Sequence, residues 1–359
     1  MQVFVSEYIS SGALSDRPIP DSWLREGSAM LSAVVADLLK VPGCHVTTTV
    51  DHRLSNFLTA SLSTAQIDTV ADVPAERAAF DRHVKRADVT LIIAPETAGA
   101  LERRVRQVIE LRGRTANCTP AAIHLCGDKW RLAKHLEVHR LPTIPTHLAN
   151  LDAEDPWEVF DSSCVLKPRD GAGSWLTFRV PQGNVEVWQS AVSKFRLAGL
   201  SEGVLLQPYI PGLSLSAGCI CHAGGELDIF PVGRQEIVTE TLQYQGGRIP
   251  AEISDESRSS IESLIQKTCA TIPGLQGYVG FDVILPENEP YSPIITEINP
   301  RLTTSYVGYR QLCDENLARR LLDIPNRSYS DPETSQLRWK RAAVSFGPDG
   351  NCAFEADFQ

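Results

Sequence analysis

The chain predicts an α/β domain of doubly wound type followed by an α+β region, on three observations. Its first third alternates short apolar runs with helical periodicity, as parallel strands joined by crossover helices do. Its middle and C-terminal parts place β-rich runs next to one another, the pattern of an antiparallel sheet. Only two long helical stretches interrupt those runs.

Gln2 to Val5 reads as the first strand. Asp21 to Lys40 follows a proline and carries Met30, Leu31, Val34, Val35 and Leu38 on one side, an amphipathic helix that Pro42 and Gly43 end. A strand at His45 to Val50, a helix opened by Asp72 and Pro74, a strand at Val89 to Ala94 and a helix through Glu110 continue the alternation. Beyond it, strands are expected at Cys164 to Lys167, Val204 to Gln207, Leu215 to His222, Leu227 to Val232, Gln235 to Thr239, Gly277 to Leu285 and Pro293 to Asn299. Helices are expected at Val185 to Leu197 and Asp255 to Ala270. A polar stretch from Asn326 to Gln336 links the body to a last strand, Leu337 to Ser345.

The 359 residues, 43% of them apolar, suffice for two or three joined cores. A net charge of −10 argues against a nucleic-acid surface, which needs clustered Lys and Arg. The N-terminus lacks the basic and long apolar segments of a signal, and nothing resembles a membrane span, so the cytoplasm is the expected address. Nine scattered cysteines read as reduced core residues, and Cys219 with Cys221 lacks the second pair of a zinc site.

The chemistry concentrates near the C-terminus. Asp282 in GYVGFDVIL and Glu297 with Asn299 in IITEINPRL are oxygen donors; Glu297 and Asn299 share a strand face, and a neighbouring strand can bring Asp282 beside them. Burying the three without a cation is expensive, so they are expected to hold Mg²⁺, with Mn²⁺ as an alternative. Arg301, beside them, can stabilise a transferring phosphoryl group, or simply pair with Glu297. Lys167 ends an apolar strand before a small-residue turn through Asp170, Gly171, Gly173 and Ser174, whose N–H groups can approach phosphate oxygens; a glycine-rich hairpin is the plainer alternative. Asp128 can cap a helix containing Lys129. His135 and His139 lie four apart but lack the glutamate that a zinc-protease helix carries, and read as surface residues.

A helix-start lysine, a strand lysine with a glycine turn, the hinge LLQPYIPG and a distal Asp then Glu-x-Asn-x-Arg, in that order over roughly residues 116 to 310, resemble the ATP-grasp superfamily. The resemblance implies a pre-ATP-grasp α/β domain at 1–115, an N-terminal lobe with the glycine-rich loop at 116–205, a C-terminal lobe with the metal site at 206–325, and a linker with a final strand at 326–359. It implies that Lys129 and Lys167 contact ATP phosphates under the Asp170–Ser174 loop. It also implies that Gln207, Tyr209 and Ile210 lie along the adenine, that Asp282, Glu297 and Asn299 bind magnesium, and that Arg301 helps hold an acyl phosphate. The hinge departs from the superfamily pattern: Ser214 stands where an acidic residue often meets the ribose, and Gln207-Pro208 where many members begin with an acid.

The opening VFVSEYISSG, APET at Ala94 to Thr97, QYQGGRIP, which reads as a loop, and INPRLTTSYVG are similar to the tyramine–glutamate ligases of methanofuran biosynthesis and their bacterial relatives. That likeness implies an amide bond between glutamate and an aromatic amine in the making of a C1-carrier cofactor. It puts Glu7, Tyr8 and Glu96 near the substrates, with Arg234, Arg248, Thr303, Thr304 and Ser305 as receivers of carboxylate or phosphate, against the plainer reading of Glu7 and Glu96 as capping loop carboxylates. The partners expected are a small carboxylate and an amine, without nucleic acid or membrane; a homodimer is the default for such enzymes. The alternatives are a dipeptide-forming ligase of the D-alanine–D-alanine type and a nucleotide-binding regulator without turnover.

Overall fold

The computed structural model describes residues 1–58, 62, 64–171, 173–289, 291–323 and 336–355. The N-terminal third runs β1 (Gln2–Glu7), α1 (Asp21–Leu38), β2 (His45–Asp51), α2 (Ser55–Leu58), β3 (Gln66–Val70), α3 (Val73–Arg86), β4 (Val89–Ile93) and α4 (Ala100–Glu110). Its four strands are parallel in the order β3-β2-β1-β4. The chain leaves β1 toward β2 and later returns to β1's other side as β4. The C-terminal ends of β1 and β4 therefore flank a topological switch point, where open α/β sheets bind ligands. Asp72 caps α3 by accepting from the backbone N–H of Ala75 at 2.8 Å. The polar edge strand β3, absent from the sequence-based expectation, buries little beyond Val70.

Two short helices, α5 (Pro120–Cys126) and α6 (Lys129–Val138), lead to a small antiparallel sheet of β5 (His147–Leu148), β6 (Cys164–Pro168), β7 (Phe178–Val180) and, after α7 (Val185–Leu197), β8 (Val204–Pro208). The strand order is β5-β8-β6-β7. This lobe packs around its own interior, which includes Leu166, Trp188, Phe195 and Leu206. Its links to the body include two polar ones. Arg169 donates to Asp128 at 2.7 Å, and the N–H of Ala98 donates to Asp170 at 2.8 Å.

The rest of the chain forms β9 (Gly212–Cys221), β10 (Leu227–Ile229), β11 (Gly233–Ile237), β12 (Tyr244–Ile249), α8 (Asp255–Thr271), β13 (Gly277–Pro286), β14 (Ile294–Asn299), α9 (Tyr306–Leu312), α10 (Leu317–Leu321), β15 (Ala343–Phe346) and β16 (Cys352–Glu355). The strands make one antiparallel sheet, β14-β13-β9-β11-β12-β15-β16, with β10 on β9. The segment QYQGGRIP, expected as a loop, supplies β12. Gly246, at φ +122°, permits this because a side chain there would meet the carbonyl of Phe346 in β15. The last strand is later than expected and is followed by β16; the expected linker lies outside the described residues except Gln336.

One apolar core joins α1 to the large sheet through Leu31, Val34, Tyr278 and Tyr306. Asp37 of α1 reinforces the joint: Arg310 donates to its carboxylate at 2.8 and 2.5 Å and Tyr306 at 2.8 Å, so this buried charge is fully paired. Cys269 of α8 comes beside Cys219 and Cys221, so three thiols lie within 4.8 Å of one another in the second core, a grouping that sequence separation conceals. No described helix is long and apolar enough to cross a membrane.

Candidate active site

Antiparallel pairing places Asp282 of β13 opposite Glu297 of β14, and Gly280 opposite Asn299. Asn299 donates its amide to Asp282 Oδ2 at 3.0 Å. Gln235, two strands away on β11, reaches across Ser214 and Ser216 of β9 to donate to Asp282 Oδ1 at 2.7 Å. Burial and, after it, the facing Glu297 carboxylate raise the Asp282 pKa to about 7, against the hydrogen bonds from Asn299 and Gln235. Two crowded carboxylates and an amide oxygen on one sheet face are a set of hard donors. The sequence reading of these three residues had the neighbours right and lacked Gln235, whose contact depends on strand order.

Lys129 enters from α6, which Asp128 caps through the N–H of Arg131 at 3.0 Å. The lysine is buried, donates to the carbonyl of Gly171 at 2.8 Å and stands 3.3 Å from Glu297 Oε1. Lys167 points inward from β6; burial and, after it, the neighbouring Lys129 lower its pKa to about 8, with Glu297 and Asp282 opposing. In the glycine turn, Gly173 and Ser174 both have left-handed backbones, at φ +67° and +57°, and line the cavity above Asp282. Asp170 departs from its expected place. Its carboxylate faces the N-terminal domain, bound by Ala98 N–H, and the carbonyl of Gly171 serves Lys129, so the turn's first half is anchored on the protein itself.

Gln207, Tyr209 and Ile210 line a cavity of about 310 Å³ that also includes Lys167, Ser214 and Glu236. Gln207 is held by donating to Thr146 Oγ1 at 2.8 Å, and the Arg179 guanidinium lies 3.9 Å from the centre of the Tyr209 ring. Arg234 lines this same cavity and stands 3.6 Å from Glu236, beside Gln207 and Tyr209 instead of beside Glu7 and Glu96 as expected. Arg248 is also elsewhere than expected. It is paired with Glu252 at 2.8 Å and Glu355 at 2.7 Å, because β12 turns its side chain toward the β16 end of the sheet.

A second cavity, about 240 Å³, contains Asp282, Glu297, Asn299, Arg301 and Thr303 to Ser305. Thr303 shares hydrogen bonds with Tyr278 at 2.9 Å and Ser305 at 2.8 Å. Arg301 spans from this cavity to the switch point. Its Nε lies 2.8 Å from Glu96 Oε1, and its Nη2 donates to Glu96 Oε2 at 3.1 Å. Burial opposes the guanidinium charge, but Glu96, Glu26 and Glu297 around it raise its pKa. The pairing foreseen with Glu297 goes mainly to Glu96. Glu7, at the end of β1, accepts from Ser10 N at 2.7 Å, Ser10 Oγ at 2.6 Å and Ile9 N at 3.0 Å. Burial raises its pKa despite those bonds. Glu7 thus ties down the turn that follows β1, with no helix there to cap, and also lines a small cavity with Arg301 and Glu26, the last being a residue that sequence reasoning missed.

Gly27 lets α1 pass over Glu7. A Cβ there would stand 2.6 Å from Glu7 Oε1. Gly27→Ala is expected to destabilise the protein by about 1–3 kcal/mol, since a thrice-bonded carboxylate must yield. Thermal denaturation measures this, and an unchanged midpoint would mean that Glu7 relaxes freely.

Residues 126–305 match the family model described as an ATP-grasp domain, and residues 44–123 match one described as pre ATP-grasp 3 domain. The chain belongs to the ATP-grasp family. Among curated relatives it is 27% identical, over 243 residues and 67% of each chain, to the tyramine–L-glutamate ligase of Methanocaldococcus fervens. Among solved structures it resembles an Archaeoglobus fulgidus protein assigned to the ATP-grasp superfamily, with TM-score 0.68, 22% identity, 96% of this chain and 92% of that one. It also resembles the biotin carboxylase–β,γ-ATP complex of Campylobacter jejuni, with TM-score 0.73, 15% identity, 96% of this chain and 74% of that one. These structural likenesses show the fold.

Proposed function

We propose that the chain is an ATP-dependent carboxylate–amine ligase joining the side-chain carboxylate of glutamate to an aromatic amine through an acyl phosphate, in the assembly of a methanofuran-type C1 carrier. The observation that carries this reading is the continuity of charge across the site: Lys167 and Lys129, then Asp282, Glu297 and Asn299, then Arg301, run from the Gln207–Ile210 cavity to the switch point. The likeness to tyramine–glutamate ligases supports the choice of substrates.

Oxygen donors that crowd and repel fit Mg²⁺ or Mn²⁺, and Asp282, Glu297 and Asn299 would hold it. Such an ion, when bound, supplies positive charge against the polyphosphate. The protein's own groups do the rest. ATP lies with its base along Gln207, Tyr209 and Ile210, while Lys129 and Lys167 hold phosphate oxygens under Gly173 and Ser174. Glu236, which lines the same cavity, offers the acidic side chain that Ser214 does not. Arg301 and the Thr303–Ser305 hydroxyls orient the donor carboxylate and reduce its repulsion from the γ-phosphate. A carboxylate oxygen takes the γ-phosphoryl group as the bond to ADP breaks. The amine then displaces phosphate from the acyl carbon.

The test incubates protein, Mg-ATP, glutamate and tyramine and follows ADP together with product mass. ADP release that requires both co-substrates and stops on chelation by EDTA, returning with Mg²⁺ or Mn²⁺, is the expected outcome. No ADP release across a broad panel of acids and amines would defeat the assignment. A dipeptide mass would replace the amine acceptor with an amino acid.

A further inference from the structure

The switch-point cavity contains a carboxylate that nothing described so far uses. Glu26 lies on α1, where it lines both the cavity around Asp282 and the smaller one, about 40 Å³, that adjoins Glu7 and Arg301. Among the described residues no hydrogen-bond or ion-pair partner reaches it. Glu7 satisfies its oxygens with Ile9 and Ser10, and Glu96 takes the guanidinium of Arg301, so Glu26 is left facing the reacting end of the site without a close cation of its own. Burial raises its pKa, against Arg301 and Arg25, which both act on it. A half-buried carboxylate in this position is stabilised by an ammonium ion from a ligand.

The surroundings say what carries the ammonium. Ile9, Met30, Ile93 and Pro95 make the rest of the small cavity apolar. Trp23 and Gly173 line it and also line a crevice of about 840 Å³ that holds Trp175 and Phe178 together with Arg179, Lys194 and Glu240, so a narrow, carboxylate-tipped cavity adjoins a wide one with aromatic walls. Gly173 borders this passage, where a Cβ would make only ordinary contact, 3.7 Å from Trp23 Nε1 and 3.9 Å from Glu26 Oε1.

We infer that Glu26 is the receptor for the acceptor amine, and that the acceptor is a primary amine on an apolar, aryl-bearing body with no carboxylate beside its nitrogen. The inference rests on the ligase reading above. A carboxylate beside the nitrogen would be forced against Glu7 and Glu26, with Arg301 already committed to Glu96 and to the donor carboxylate. In the reaction the ammonium gives one proton to Glu26. The freed nitrogen pair attacks the acyl carbon, the C–N bond forms, and the C–O bond to phosphate breaks with its electrons on the phosphate. The phosphate takes the nitrogen's second proton.

The experiment compares wild type and Glu26→Gln with Mg-ATP and glutamate, offering tyramine, tyrosine or hydroxylamine. Hydroxylamine is uncharged at neutral pH and traps an acyl phosphate as hydroxamate without needing an ammonium receptor. Wild type is expected to prefer tyramine over tyrosine by about tenfold or more. In E26Q the tyramine amide is expected to fall about 100-fold or more while hydroxamate still forms. Equal use of tyrosine by wild type, an undiminished tyramine amide in E26Q, or loss of hydroxamate together with the amide would each overturn the role of Glu26. No hydroxamate from wild type would overturn the ligase reading itself, and the inference with it.

Discussion

Arg301→Ala is expected to reduce amide formation by about 10³-fold or more and at the same time to cost about 3–5 kcal/mol of stability. The two losses have different origins. The catalytic one follows from the position of the guanidinium between the Asp282 cavity and the switch point, where in the proposed reaction charge develops on the phosphoryl group and the acyl carbon. The structural one follows from Glu96, whose carboxylate is 5% exposed and faces Arg301 at 2.8 Å; alanine strands it. Adding Glu96→Gln removes the stranded charge. The double variant should therefore regain much of its melting temperature and none of its turnover. If activity returned with stability, Arg301 would be a structural residue only.

Asp282→Asn separates stability from activity in the opposite sense. Turnover is expected to fall roughly 10³-fold, the several kcal/mol that a lost metal-binding carboxylate costs in such sites. The cation-free protein should become more stable, because Asp282 is buried directly opposite Glu297 and its charge is opposed by both burial and that neighbour. Melting curves with and without Mg-ADP, alongside ADP release, test both halves: wild type gains stability from Mg-ADP, and the variant starts higher and gains less. A variant that starts lower, or that keeps wild-type turnover, contradicts the metal assignment.

Much of this site was legible one segment at a time. The two-residue period of IITEIN put Glu297 and Asn299 on one face, and the Asp128 cap fixed where Lys129 enters its helix; both are local facts that the sequence states directly. What it concealed depends on neighbours distant in the chain. Gln235 reaches Asp282 only because β9 lies between β11 and β13 and presents serines there. Arg248 was misplaced for the same reason in reverse, since its partner Glu355 comes from a strand more than a hundred residues later. Glu26 was overlooked because helical periodicity marks it only as a residue beside the apolar stripe of α1, and its destination is set by how α1 crosses the ends of β1 and β4. QYQGGRIP reads as a loop by its glycines, although those glycines are what allow β12 to lie so close to β15.

The separate interior of the β5–β8 lobe predicts that the lobe melts as a cooperative unit of its own, apart from the body. Leu166, Trp188, Phe195 and Leu206 pack among themselves, while the seam with the body is crossed by a few polar bonds such as Arg169 to Asp128 and Lys129 to Gly171. Heat absorbed on unfolding is then divided between lobe and body as long as the seam is all that joins them. In the proposed binding mode, a nucleotide held by Lys167 on one side and by the Asp282 face on the other would fasten the two together, so that occupancy would change how many pieces the protein melts in as well as when.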